Sequence, residues 1–141
     1  MPHGSALGRL RSPRIGLDVM IAEGVDDATL RRAAGHIPGT AGLDAAGNVG
    51  LAAHRDTFFR PLRGIKQGDE LELETLEGRY RYRVDWMKVV EPNNISPLEP
   101  TSDASLTLIT CFPFHYVGSA PRRFIVRATR VGESSFAAAP I

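Results

Sequence analysis

The chain carries one cysteine, Cys111, four histidines at positions 3, 36, 54 and 115, and an arginine pair, Arg122-Arg123. Together these residue types suit acyl transfer. A thiolate is the nucleophilic form of cysteine, and a nearby imidazole or guanidinium favours it electrostatically. A leaving amine needs a proton donor, and a tetrahedral oxyanion needs a fixed positive donor. Residue type alone leaves open which histidine and which arginine take part, and a buried structural thiol is the competing reading of Cys111. Metal binding has less support, because one cysteine and histidines at 36, 54 and 115 show no C-x-x-C or H-x-x-x-H spacing. Neither a phosphate-cradling glycine loop nor a G-x-S-x-G elbow is present.

The elements that must position these groups are short strands. In LTLITCFPF, residues 106–114, alternation puts Leu106, Leu108 and Thr110 on one face and Thr107, Ile109 and Cys111 on the other. One face can fill a core and the other can line a groove. Pro113 cannot donate to a central ladder, which places Cys111 at a strand mouth. NVGLAAHRDT alternates in the same way, with Val49, Leu51 and Ala53 opposed to Gly50, Ala52 and His54. His54 is thus expected to end a strand whose own face carries only small residues, leaving room for a ligand or another chain segment.

Composition bounds the rest. At 141 residues the chain fits one domain, 43% hydrophobic residues and a net charge of +1 describe an ordinary globular protein, and non-specific nucleic-acid binding has little support. One cysteine forms no internal disulfide and leaves the redox compartment open. No apolar run approaches the ~20 residues of a membrane span, and the start lacks a signal-peptide pattern. Residues 1–6 read as a disordered start or a cloning remnant, 7–132 as the folded domain, and 133–141 as a C-terminal tail.

Fourteen glycines, ten prolines and many short alternating runs point to a mostly β domain with one or two helical pieces. Residues 7–22 read as two strands around Ser12-Pro13. Residues 25–34 read as a short helix capped by Asp26 or Asp27 and stopped by Gly35. The Pro and Gly neighbours of His36 place it in a connecting loop with a surface or turn role. Asp56 or Thr57 can cap a helical turn in FFRPLRGI, kept short by Pro61. Residues 69–90 read as a hairpin turning at Glu77-Gly78, with Glu74 facing Arg81, Glu72 facing Arg83, Leu73 facing Tyr82 and Leu71 facing Val84. The three-proline stretch 91–103 is a loop long enough to be a wall or lid. FPFHYVGSAP is a turn-rich connection, and RRFIVRATRV closes the domain as a strand.

Four stretches, GHIPGTAG at 35–42, GNVGLAAHRDTFFRPL at 47–62, TLITC at 107–111 and RRFIVRA at 122–128, resemble the sortases, most closely their class D members. The resemblance spans nearly the whole chain in the expected order. It implies an all-β fold, an eight-stranded barrel with one or two short helices, and a membrane-anchored cysteine transpeptidase outside the cytoplasmic membrane, with any native anchor missing from this chain. By that likeness Cys111 attacks the carbonyl after threonine in an LPxTG-like or LPxTA-like sorting signal, and an amine from a cell-wall peptide or a pilin lysine resolves the thioester. His54 falls on the general acid/base position. Arg123 matches the arginine that holds substrate and oxyanion, with Arg122 as the fallback. Thr107, Ile109 and Thr110 are the implied substrate contacts, and the loop 91–103 the implied wall for the Leu-Pro part of the signal. Two features depart from the pattern: Ala53 stands where many members have glycine, and the early residues lack the acidic cluster that binds calcium in some class A members. No metal or cofactor is therefore expected. The alternatives are a plain cysteine peptidase or acyl hydrolase, and a catalytically idle domain that binds peptides or supports envelope assembly.

Overall fold

The computed structural model describes residues 2, 4–54, 58–112 and 122–135, with the backbone alone at 111, 112 and 135. Among these residues eight strands run β1 (Ala6–Ser12), β2 (Leu17–Glu23), β3 (Ala34–His36), β4 (Asn48–Ala52), β5 (Glu70–Glu74), β6 (Gly78–Val90), β7 (Ser105–Phe112) and β8 (Arg122–Ser135). They close into a barrel in the order β1-β2-β3-β4-β7-β8-β6-β5. Closure removes the unpaired edges that an open sheet would expose. The all-β barrel expected from the sequence is the fold observed. The cap at Asp56 or Thr57, the stop at Pro113, His115 and the end of the chain from 136 onward lie outside the described residues.

Period-2 alternation fills the barrel. Leu10, Ile21, Leu51, Leu71, Leu73, Tyr82, Leu106, Leu108, Val126 and Ala128 are fully buried. Each large apolar side chain so buried contributes about 1.5–3 kcal/mol relative to exposure. The ends of β1 and β2 meet around a 3-10 turn at Pro13–Ile15, and the two strands read between 7 and 22 are present. A helix also forms after Gly24, but only as α1 (Asp27–Leu30), capped by Asp26, which accepts the Thr29 N–H and hydroxyl.

Gly35 does not stop that helix. Residues Ala34, Gly35 and His36 pair in parallel with Ile21, Ala22 and Glu23, so tertiary pairing takes over the end of the segment read as helix. Glycine is required there by close approach: a Cβ on Gly35 would lie 2.0 Å from the Gly24 carbonyl oxygen. The surface role read for His36 is corrected by the same pairing. Its side chain is buried, with Nδ1 2.9 Å from Glu23 Oε1 and Nε2 2.8 Å from the Ala41 carbonyl oxygen. It thus ties β2 to the loop that leads into β4.

The hairpin forms with its faces as read but its register moved by two residues. Glu74 pairs with Arg79, Leu73 with Tyr80, Glu72 with Arg81, Leu71 with Tyr82 and Glu70 with Arg83. The Thr75 N–H donates to the Gly78 carbonyl at 2.9 Å, so the turn is Leu76-Glu77 and Gly78 closes it. Thr75 stabilises this turn from inside: its hydroxyl accepts the Glu77 N–H and donates to Asp44. A two-residue shift returns every side chain to its original face, which is why glutamates still meet arginines.

Two predictions follow from these contacts. Asp69 accepts Arg14 Nε and Nη2, both at 2.6 Å, and the Lys66 N–H at 2.7 Å. The Arg14 hydrogen bonds are the main cause holding its carboxyl below the usual carboxylate range. A folded-state pKa below the unfolded value of about 3.9 gives stability that is present above that value and lost as pH falls through the folded one. Urea denaturation should therefore show wild type more stable than Asp69→Asn at pH 7, with the gap closing toward pH 3. In the second case, His36→Leu removes the buried ring contacts to the Glu23 carboxylate and the Ala41 carbonyl, and the expected loss is about 1–3 kcal/mol. An unchanged urea midpoint would show that the His36 contacts add nothing net.

Candidate active site

The site is assembled by β7 and its two neighbours. β4 runs parallel to β7, with Asn48 opposite Ser105, Gly50 opposite Thr107 and Ala52 opposite Ile109. Regular pairing ends there, and a further bond runs from the Ala53 N–H to the Ile109 carbonyl at 3.3 Å. Continued by two residues, this register sets position 54 level with position 111. On the other flank β8 is antiparallel, with Cys111 opposite Arg123 and Phe112 opposite Arg122. Cys111 and Arg123 are thus paired across β7 and β8, and His54 follows two residues after the last paired residue of β4 at the same end of the barrel. Arg122 sits one step further along and points its alternation to the opposite face.

His54 is half-buried and lies just past the end of β4. Its carbonyl accepts the Phe59 N–H at 3.2 Å. Phe59 and Leu62 are fully buried and lead into the 3-10 turn Arg60–Gly64. The core therefore holds the chain on both sides of the histidine. Arg123 is partly exposed, and its Nη1 donates to the Arg122 carbonyl at 3.0 Å.

Of the residues expected to touch a peptide, Ile109 is partly exposed, whereas Thr107 and Thr110 have 0% and 2% of their surface accessible. Only Ile109 has surface to offer. Thr110 shares the inward face of Leu106 and Leu108, and its hydroxyl has no hydrogen-bond partner among the described residues. Thr107 is on the outward face but covered. Its hydroxyl donates to Asn48 Oδ1 at 2.6 Å and accepts from Arg127 Nε at 2.9 Å.

What covers Thr107 is the loop 91–103, which contains a 3-10 turn at Ser96–Leu98. The Asn48 amide donates to the carbonyls of Pro97 at 2.8 Å and Glu99 at 2.9 Å, and Arg127 Nη2 donates to Pro97 at 2.7 Å. Burial pushes the Arg127 guanidinium down from its ordinary pKa, opposed by the nearby charge of Asp85, and its plane lies 5.1 Å from the Trp86 ring centroid. Leu98 is seated over Gly50, where a Cβ would lie 3.2 Å from Leu98 Cδ2 and 2.9 Å from Thr40 Cγ2. The room left by small residues on β4 is, at Gly50, filled by other segments of the chain.

Sequence reasoning did not single out Asn48 or Arg127. A usable signal was present in Arg127, a cation in mid-strand on the same face as Arg123 with no acidic residue among its neighbours in RRFIVRATRV. Among the described residues no group of three His, Cys, Asp or Glu side chains is placed to hold a metal ion, and none of the helices is long and apolar enough to cross a membrane.

Comparison with known proteins agrees with this architecture. The family model described as Sortase domain matches residues 10–131. Sortase D of Bacillus subtilis (strain 168) is 36% identical over 129 residues, covering 91% of this chain and 65% of that protein. The chain thus spans less than two thirds of the length of this curated relative. Among solved structures, a Clostridium perfringens Sortase D5 transpeptidase superposes with a TM-score of 0.84 at 26% identity, covering 94% of this chain and 82% of the other. Sortase E1 from Streptomyces coelicolor, solved with a tripeptide in its active site, gives a TM-score of 0.83 at 31% identity, covering 97% and 95%. With the family model matched across most of its length and the barrel shared with these structures, the chain belongs to the sortase family.

Proposed function

We propose that the chain is a cysteine transpeptidase that acts on an LPxTG-like or LPxTA-like sorting signal at the extracytoplasmic face of the cell membrane. The observation that carries this reading is the pairing of β7, which sets Cys111 opposite Arg123 on β8 and brings β4 to Ala52 opposite Ile109, two residues before His54 and Cys111. Further support comes from the Sortase E1 relative, which was solved with a tripeptide in its active site.

In this reaction the Cys111 thiolate attacks the carbonyl carbon after threonine and its electron pair forms the C–S bond. The carbonyl pair moves onto oxygen, where the Arg123 guanidinium stabilises the developing charge. The tetrahedral intermediate collapses, the C–N bond breaks, and the His54 imidazolium gives its proton to the departing amine. A thioester remains. An incoming amine, from a cell-wall peptide or a pilin lysine, then attacks the thioester, His54 takes the amine proton, and the thiolate leaves. Water in place of the amine would give simple hydrolysis. The loop 91–103 forms the wall beside the peptide, and Ile109, two residues before Cys111 on the same strand face, provides apolar surface.

The test is mass spectrometry of the protein incubated with LPxTG-like and LPxTA-like peptides, with and without an added amine, beside Cys111→Ala. Wild type should form a thioester adduct and an amine-dependent product, and Cys111→Ala neither. His54→Ala and Arg123→Ala should each slow acylation by about 100-fold or more. Cleavage that the amine never diverts would indicate a peptidase. Binding without adduct or cleavage would indicate an idle peptide-binding domain.

A further inference from the structure

On the outward face of β4, β7 and β8, set back from the barrel end, one polar side chain from each strand meets those of the other two. Asn48 lies on β4, Thr107 on β7 and Arg127 on β8, with Thr107 directly opposite Arg127 in the ladder. Their side chains form one directed relay. Arg127 Nε donates to the Thr107 hydroxyl, and that hydroxyl donates to Asn48 Oδ1. The Asn48 amide donates both its hydrogens to loop carbonyls, those of Pro97 and Glu99, while Arg127 Nη2 gives a second donor to Pro97. The guanidinium donates, the amide oxygen accepts and the amide nitrogen donates, while the Thr107 hydroxyl accepts from Arg127 and donates at 2.6 Å to Asn48, with the Pro97 carbonyl a longer 3.4 Å away.

We infer that Asn48, Thr107 and Arg127 are positioning residues that fix the loop 91–103 at the distance from the reactive end that peptide binding requires, an inference that rests on the transpeptidase reading. Besides these bonds the loop is held by the packing of Leu98 over Gly50 and by its own short turns. Three of its residues are prolines, and its backbone lies outside the ladders of the sheet. Thr107 is four positions from Cys111 and Arg127 four from Arg123, about 13 Å of strand. None of the three clamp side chains therefore reaches the reacting atoms. Their effect passes through the wall, and it should appear in substrate binding and leave the chemistry of the thiol intact.

The experiment compares wild type with Arg127→Met, Arg127→Lys, Thr107→Val and Thr107→Ser. Thr107→Val keeps the shape and removes the hydroxyl, leaving the Arg127 Nε and the Asn48 amide oxygen without their partner. For Arg127→Met and Thr107→Val we expect the peptide KM to rise about tenfold or more, with kcat and the rate of Cys111 alkylation by iodoacetamide little changed. Thr107→Ser should restore KM toward wild type, and Arg127→Lys, which can reach Pro97 but not both acceptors, should fall between. Digestion by a glutamate-specific protease gives a readout independent of activity: cutting at Glu91 or Glu99 should be faster in the two impaired variants. A KM unchanged in Arg127→Met, a Thr107→Ser as impaired as Thr107→Val, or a fall in alkylation that tracks the fall in activity would each overturn the inference. If wild type forms no acyl adduct, the transpeptidase reading fails separately, and equal protease cutting in wild type and variants would then overturn the clamp as well.

Discussion

The double register of β7 is the constraint on which the site depends. β7 is paired in parallel on one side and antiparallel on the other, so its backbone sets both the residue of β8 opposite Cys111, which is Arg123, and the point at which β4 stops beside Ile109. A slip of one residue on either flank would send the inward leucines outward. A slip of two would keep the faces but move the partner by about 7 Å, more than twice the reach of a hydrogen bond. What prevents both is packing: Leu106 and Leu108 are wholly buried, as are Leu51 opposite Leu108 on β4 and Val126 opposite it on β8. The geometry at this end of the barrel is in this sense a product of the core, fixed by side chains buried on the inward face.

The outward face of the same three strands obeys a different rule. There the contacts are polar and directional, so each must be complete, because a half-satisfied buried network is worse than an apolar one. Asn48, Thr107 and Arg127 meet that condition with loop carbonyls as their terminal acceptors. Arg127 is costly to bury, and its guanidinium is correspondingly pushed down in pKa. That cost is offset by three things: two hydrogen bonds, the Asp85 charge and the face of Trp86.

Much of this was legible in the sequence, and what was not has identifiable physical reasons. The inward and outward faces of β7 were readable because a period of two is a local property. The strand end near His54 was readable for the same reason. The level of the β5–β6 pairing was not, because Leu76-Glu77 and Glu77-Gly78 are equally good turns as far as face chemistry is concerned, and only the Thr75 contacts select between them. His36 was misplaced because its burial depends on Glu23 and Ala41, and nothing in GHIPGTAG announces a parallel partner in β2. Thr107 read as a groove residue because alternation gives a face but says nothing of what lies over it. The clamp was invisible for a related reason: its acceptors are backbone carbonyls, which every residue has.

That last point explains why a proline-rich wall needs side chains of this kind beneath it. Proline supplies a carbonyl but no N–H, so a loop with several prolines has more acceptors than donors on its main chain. Such a loop cannot satisfy itself by folding into further turns, and burying it against a barrel would leave carbonyls unpaired at a cost of about 1–3 kcal/mol each. The barrel therefore has to present donors. Asparagine offers two from one amide and arginine offers several from one planar group, while threonine, able to accept from one and donate to the other, joins them across neighbouring strands. Because those donors stand on β4, β7 and β8, the requirement to satisfy the loop also ties its position to the strands that hold Cys111 and Arg123 and lead into His54.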